Sequence, residues 1–406
     1  MISSTNFLNN NILPLSPFPK RGGRDLRSWL SFKTSLLLMV ALFLFPCLAN
    51  TKEMEQVASA PRGGGFRIAV FPVENLSGMP APLKEVRQVF VDKLKKEGVH
   101  VLEEEALEKF MAKHRIRYTG GINGEIGKAF KQEINISGVL ITSLELYNEM
   151  NPPKISLISR LVSTGDIPSV LWMESVGMAG DDSPGILGLG LIEDPKLLLD
   201  KVMKSMFDSL GRYLLTKTTK GEGKDVKRKY RPKISYRSPA FDSSRSYTVA
   251  VIPFFNRSER KYAAEILTLH FIRQLRKFEN FKVIEPGMVR QEFLNLRIIM
   301  EDGISLSNAD AVFALLDADL IVSGRVMDYQ DYQGIWGKPK VDFSAVLIER
   351  KSREIVWGSN SYNEGDDGVF FFDRGRVNTA SAMASQMVQW IGEKILENHK
   401  RVQVVK

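Results

Sequence analysis

A single cysteine and four histidines in 406 residues exclude several chemistries at the outset. Cys47 has no second cysteine to pair with, so the mature fold carries no disulfide and no cysteine-based metal site. His100, His114, His270 and His399 sit in no HExxH pattern and no His/Cys cluster. His100 and His270 read as surface residues of a strand and a helix. No serine stands in a G-x-S-x-G elbow. The glycine run Gly185-Ile-Leu-Gly-Leu-Gly190 follows a loop rather than a strand, and no Lys-Ser/Thr comes after it, so it is no phosphate loop. Glu103, Glu104 and Glu105 read as the solvated start of a helix. The expectation is a non-enzyme with no cofactor and no metal.

Long apolar runs are scarce as well. Ser35 to Phe45 is an apolar-rich stretch of eleven residues, against roughly 20 needed to span a bilayer. With the basic segment before it, this stretch reads as an export signal over residues 1–49. Two processing readings stay open. Leu44-Phe45-Pro46-Cys47 has the form of a lipobox that would make Cys47 a lipidated N-terminus, with Pro46 where a small residue is usual. Alternatively, Cys47-Leu48-Ala49 puts small residues before a cut at Asn50. The exported chain is then expected in the periplasm, anchored to the outer membrane if Cys47 carries lipid.

The net charge of +9 is unevenly placed. Residues 1–34 carry +4 and residues 217–245 carry +7, which leaves about −2 for the rest. A nucleic-acid surface needs excess positive charge within a folded domain, so nucleic acid is not an expected partner. The basic core "KDVKRKYRPK" lies in a stretch read as a linker over 216–246. That core would meet anionic headgroups or serve as a solvated spacer.

The chain is otherwise two copies of one unit. "GDDSPGILGLG" (180–190) and "GDDGVFFFDRG" (365–375) lie 185 positions apart, as do Trp172 and Trp357. After a polar tether at 50–65, the strand Arg67-Ile-Ala-Val-Phe ends at Pro72, and Thr248-Val-Ala-Val-Ile ends at Pro253. Asn75 and Ser77 then match Asn256 and Ser258. Apolar residues at helical spacing follow each strand: Val86, Val89, Phe90 and Leu94, then Ile266, Leu269, Ile272 and Leu275. A short strand, an amphipathic segment, a third strand, a hairpin and a final helix complete each unit. The fold class expected is α/β (α+β): two tandem β-α-β-α-β-β-β-α units at 66–215 and 247–398, each a three- to five-stranded mixed sheet with helices packed on it. A short tail, 399–406, follows.

"FPVENLSG" in the first copy, and "FKVIEPGMVRQEFLNLRI", "LLDADLIVSGRVMDY" and "VLIERKSREIVWGSNS" in the second, resemble the N-terminal domain of TolB and the periplasmic domain of CsgG-type secretion proteins. Lipoprotein activators of peptidoglycan synthases carry similar domains. The resemblance implies a non-catalytic envelope protein that binds partner proteins or forms homo-oligomeric rings. Neither copy contains the long alternating hairpins a membrane pore requires, so the chain is not expected to form a channel.

Four residues are candidates for a partner groove. Asn75, Ser77, Asn256 and Ser258 follow the first strand of each unit, where α/β sheets often bind ligands. The competing reading is a loop that bonds to itself. Asp181, Asp182, Asp366 and Asp367 could gather a cation, but recurrence in both copies points to a turn that accepts backbone N–H groups. Three functions follow. The first is an envelope assembly protein that docks partners by strand addition at its sheet edges. The second is a regulator of a peptidoglycan synthase. The third, which no motif supports, is a wall-polymer hydrolase.

Overall fold

The computed structural model describes residues 66–183, 190–217, 230–298, 304–332, 334, 337–369 and 375–397. The export segment with Cys47, the tether, 218–229 of the linker, 184–189 of the first glycine-rich loop and the tail with His399 lie outside the described residues.

In the first repeat, β1 (Arg67–Val70), β2 (Glu74–Asn75), α1 (Leu83–Lys96), β3 (His100–Val101), α2 (Glu104–Lys113) and α3 (Gly124–Glu133) precede β4 (Gly138–Asn148), β5 (Lys154–Ser163), β6 (Val170–Ala179) and α4 (Pro195–Thr216). In the second, β7 (Ile234–Arg237), β8 (Tyr247–Val251), β9 (Phe255–Asn256), α5 (Ala263–Leu275), β10 (Phe281–Val283), α6 (Pro286–Asn295) and α7 (Leu306–Leu316) precede β11 (Leu320–Gln330), β12 (Lys340–Glu349), β13 (Ile355–Glu364) and α8 (Ala380–Leu396). The class is the expected mixed α/β, with two mixed sheets and helices packed on them. Each sheet is larger than expected: a two-residue strand, β2 or β9, joins it just past the proline, and β7 adds a further strand to the second sheet.

The first sheet runs β3-β1-β4-β5-β6 with β2 on β4, and the second β10-β8-β11-β12-β13-β7 with β9 on β11. The strands joined through helices pair in parallel; the hairpin strands pair antiparallel. Connection type explains this, because a tight turn reverses a strand and a helical crossover restores its direction. Helix starts are chemically marked. Asn123, Asp194, Ser305 and Thr379 each accept a backbone N–H of the first turn, which stabilises by about 1 kcal/mol apiece.

The linker reading of 216–246 needs correction for its second half. β7 pairs antiparallel with β13 along Trp357–Arg237 to Asn360–Ile234. Tyr230 is buried and its hydroxyl donates to the Gly365 carbonyl at 3.0 Å. The edge of β13 would otherwise leave a row of unpaired N–H and C=O groups, and this segment supplies their partners. Four residues within a basic stretch gave too short an alternation to read as a strand.

Three layers build the first repeat. On one face of its sheet, Leu157, Leu161 and Trp172 pack against Phe90 of α1 and Met206 of α4. At one end of the opposite face, Ala69, Phe71 and Val139 pack on Phe110 of α2 and Phe130 of α3. The rest of that second face is covered by the other repeat. Ile158 and Met173 join a core that includes Ile266 and Phe271 of α5 and Met383 and Met387 of α8. The two repeats therefore form one compact unit, with sheet 1 lying on the helices of repeat 2.

Candidate functional site

The Asn/Ser loops bond to themselves. Asn75 Oδ1 accepts the Ser77 N–H at 3.0 Å and its hydroxyl at 2.6 Å, and Asn75 Nδ2 donates to the Met79 carbonyl at 2.8 Å. Asn256 repeats the pattern with Ser258 at 3.0 and 2.7 Å and the Arg260 carbonyl at 2.7 Å. These four side chains hold a tight turn. What differs is the residue they present. Leu76 is buried in the core of the second repeat, whereas Arg257 is exposed. The first loop is thus a docking element within the chain, and the second faces outward.

The Gly-Asp-Asp loops are also structural turns. Asp182 Oδ2 accepts the Ala179 N–H at 2.8 Å, and Asp367 Oδ2 accepts the Glu364 N–H at 3.1 Å and Asn363 Nδ2 at 2.9 Å. Gly180 and Gly365 each lie between two backbone segments. A Cβ on Gly180 would stand 2.0 Å from the Ile192 carbonyl oxygen, and one on Gly365 would stand 2.3 Å from that of Val377, so only glycine fits. Asn378 of the second repeat donates to Asp181 at 3.3 Å and to Asp182 at 3.1 Å. Asp366 faces Lys338 at 3.2 Å.

His100 is exposed, as expected. His270 is not, and its surface reading is corrected: it lies in the middle of α5, fully buried under sheet 1. Its Nε2 is 3.6 Å from Glu145 Oε1 and 3.4 Å from Ser381 Oγ, and Ser381 Oγ donates to Glu145. Burial pushes the Glu145 carboxyl up to about 7, against the hydrogen bond from Ser381 and the charge of Arg260. Burial, with Arg273 nearby, pushes His270 down to about 3. The contact is therefore a neutral imidazole beside a carboxyl, not an ion pair. Ser, His and Glu meet, yet a nucleophile relay needs serine on one ring nitrogen and the acid on the other. Here both approach Nε2, Nδ1 has no partner, and all three residues are buried.

Two further polar clusters cross between the repeats. Arg273 of α5 donates through Nε to Glu174 Oε1 at 3.0 Å, and Glu174 also accepts from Ser209, which accepts from Trp172. Burial works to raise the Glu174 carboxyl, but Arg273 outweighs it and holds the group below the usual carboxylate range. Arg160 of β5 lies 3.3 Å from Glu285, both fully buried, and Glu285 also accepts the Ile122 N–H at 3.3 Å. Burial raises the Glu285 carboxyl, and Arg160 offsets that. Beside this pair a cavity of about 390 Å³ lies between the repeats, lined among others by Glu74, Leu76, Tyr118, Glu265 and Arg290. Burial, and secondarily Glu74, raises Glu265 there.

Sequence reasoning did not single out Glu145, Arg160, Glu174, Arg273 or Glu285. A signal was present. "AAEILTLHFIRQL" is apolar almost all round, which marks a helix buried on every side, whereas "LKEVRQVFVDKLKK" is apolar on one face only. Glu145 stands between Leu144 and Leu146, and Arg160 just before Leu161 and Val162, as charges within strands rich in apolar residues, and such charges demand partners when buried.

One broad surface is open. On β12 burial alternates from Lys340 to Leu347, whereas β5 is buried at nearly every position. The open side of sheet 2 carries Met327, Ser344, Asn360 and Tyr362, with Ile234 and Tyr236 of β7 beside them. Met327 is 44%, Tyr362 39%, Ile234 65% and Tyr236 54% exposed. Among the described residues no group of His, Cys, Asp and Glu could hold a metal ion, and no helix is long and apolar enough to cross a membrane.

No protein-family model and no curated protein sequence matches the chain. Solved structures similar to it include a PelC dodecamer from Paraburkholderia phytofirmans, 15% identical over 41% of this chain and 96% of that one, with a TM-score of 0.29. The lipoprotein GNA1162 from Neisseria meningitidis is 18% identical over 36% of this chain and 98% of that one, TM-score 0.26. The LpoB C-terminal domain from Salmonella enterica is 14% identical over 31% of this chain and 87% of that one, TM-score 0.23. Each likeness spans less than half of the chain.

Proposed function

We propose that the chain is a non-catalytic protein of the cell envelope, exported by its leader, that binds and assembles other envelope proteins. One observation carries this reading. The open face of sheet 2 corresponds to the face of sheet 1 that packs on the other repeat within the chain, and it exposes Ile234, Tyr236, Met327 and Tyr362. Exposed apolar side chains grouped on one face mark interaction surfaces. Strand addition at the β13 edge is already made within the chain by β7, so face docking replaces edge pairing as the mode of contact on that side. Asn256 and Ser258 hold the Arg257 loop at the margin of this face, which gives the groove residues of the second repeat a supporting role.

The test is crosslinked capture from intact envelopes with the C-terminally tagged chain, read by mass spectrometry. The double substitution Tyr236→Asp with Met327→Asp is expected to abolish enrichment of the partners. Equal capture by wild type and variant would contradict the reading. Secretion or surface-assembly proteins in the wild-type capture support the assembly role. A peptidoglycan synthase in their place assigns the regulatory one.

A further inference from the structure

The contact between the repeats is heterologous: a sheet face of the first meets a helix face of the second. Such an interface leaves one unused copy of each half on the molecule, and repetition of the same operation generates rings or filaments. Both unused halves are present. On the sheet side, Met327 takes the position of Glu145, because both are the extra residue at the same bulge, between Val326 and Asp328 and between Leu144 and Leu146. Tyr362 takes the position of Gly177, five residues after Trp357 as Gly177 is after Trp172. Glu145 is buried by the second repeat, and a Cβ on Gly177 would stand 2.9 Å from Thr379 Oγ1 and 3.3 Å from the Ala382 nitrogen.

On the helix side, Met79 takes the position of Arg260, since both carbonyls accept the Asn side chain of the turn. Arg260 reaches the Glu145 carbonyl oxygen across the repeat contact. Leu197 takes the position of Ala382, each three residues after its helix cap, Asp194 or Thr379. Val89 takes the position of His270. Met79 is 62% and Leu197 60% exposed, and Val89 is half-buried. Where the internal contact uses polar groups (Glu145, His270, Arg260), the two open halves use Met327, Val89 and Met79. Where it uses Gly177 and Ala382, they use Tyr362 and Leu197. The apolar substitutions coincide at equivalent positions on both sides, and Tyr362 with Leu197 in place of Gly177 with Ala382 requires a wider spacing of helix and sheet than the internal contact has. The surrounding charges are of both signs on each half, Asp92, Lys196 and Asp200 against Arg325, Lys340 and Asp342, as in a polar rim.

We infer that the partner on the open sheet face is a second copy of this chain, its α1 and α4 facing that sheet as α5 and α8 face sheet 1 but at a wider spacing, so that chains add head to tail. The inference rests on the reading of that face as a protein-binding surface.

The experiment measures the mass of the full chain, purified in mild detergent, by light scattering. A sheet-face variant carries Met327→Asp and Tyr362→Asp; a helix-face variant carries Met79→Asp and Leu197→Asp. All four residues are exposed, and circular dichroism checks that both variants fold. Wild type is expected at a multiple of the chain mass and each variant at the monomer mass. Their equimolar mixture is expected to form a pair and nothing larger, because only one good half remains on each. A monomeric wild type at micromolar concentration overturns the inference. So does a helix-face variant that keeps the wild-type mass, since sheet faces would then pair with each other. Envelope capture separates this failure from that of the function. A foreign protein lost from the sheet-face variant but retained by the helix-face variant keeps the proposed function and overturns self-assembly.

Discussion

Helices α1 and α5 occupy the same place in the two repeats, yet one is buried on a single stripe and the other on all sides. α1 buries Val86, Phe90 and Leu94, while α5 buries twelve of its thirteen residues. Strands β5 and β12 differ too: β5 is buried on both faces along nearly its whole length, and β12 on both only at its end, where Leu347 and Ile348 enter different clusters. A single event explains both contrasts. Sheet 1 has settled on the helices of repeat 2, and among the described residues nothing equivalent covers sheet 2 or α1. A duplicated fold has thus used one copy of a two-sided interface and left the other copy open. The lesson is that sequence divergence between repeats records which half of a contact each still makes.

The comparison can be broken at several points. The largest effect is expected at the buried ion pair. Arg160→Ala leaves Glu285 buried without its cation and is expected to cost about 3–5 kcal/mol. Val346→Ala, four residues along β12 from Asp342, alters the equivalent position, which is half-buried against the cluster of Val289 and Phe313, and should cost about 1 kcal/mol. Urea unfolding of both variants measures the difference. Next, Ile266→Ala on α5 should cost about 2–5 kcal/mol, whereas Glu85→Ala at the equivalent place on α1 should stay within about 0.5 kcal/mol.

The Glu145–His270 contact predicts a pH signature. Glu145 has its folded value raised to about 7 from 4.5. The folded state therefore binds the extra proton, and its contribution is full below pH 4.5 and lost as pH rises through about 7. His270 is lowered to about 3 from 6.5. Its contribution is full above 6.5 and lost as pH falls through about 3. The two slopes oppose each other between pH 4.5 and 6.5, so the pair is expected to add little net pH dependence to the melting temperature there. His270→Gln exposes the Glu145 slope, with stability falling as pH rises. Glu145→Gln exposes the opposite slope. Each pH unit carries at most about 1.4 kcal/mol per group. Two variants with the same slope would refute the assignment. The smallest expected contrast is a control in which the repeats should agree: Asn75→Ala and Asn256→Ala each remove one self-bonded turn and should each cost about 1 kcal/mol.

Much of the fold was legible because duplication doubles every signal. The prolines after β1 and β8, the paired tryptophans and the recurring Gly-Asp-Asp turns set the order of elements in both copies. The hairpins of β5–β6 and β12–β13 followed from apolar runs around turn residues. The three interior clusters were not legible, because pairing of Glu145 with His270 or of Arg160 with Glu285 depends on how one repeat sits on the other. Local periodicity carries no information about that placement. His270 was misplaced for this reason: a helix beside a single sheet would expose it, and only a second sheet buries it. β7 was missed because its pairing partner lies more than a hundred residues downstream and its four residues alternate too briefly.

The central claim is that sheet 1 seals the helices of repeat 2, and native-state hydrogen exchange of the α1 and α5 amides tests it most directly. Helices buried on every side open only with global unfolding, while half-exposed ones open locally. The account predicts that the α5 amides exchange at the free energy of global unfolding and the α1 amides at a clearly lower one. Equal protection of the two helices would contradict it.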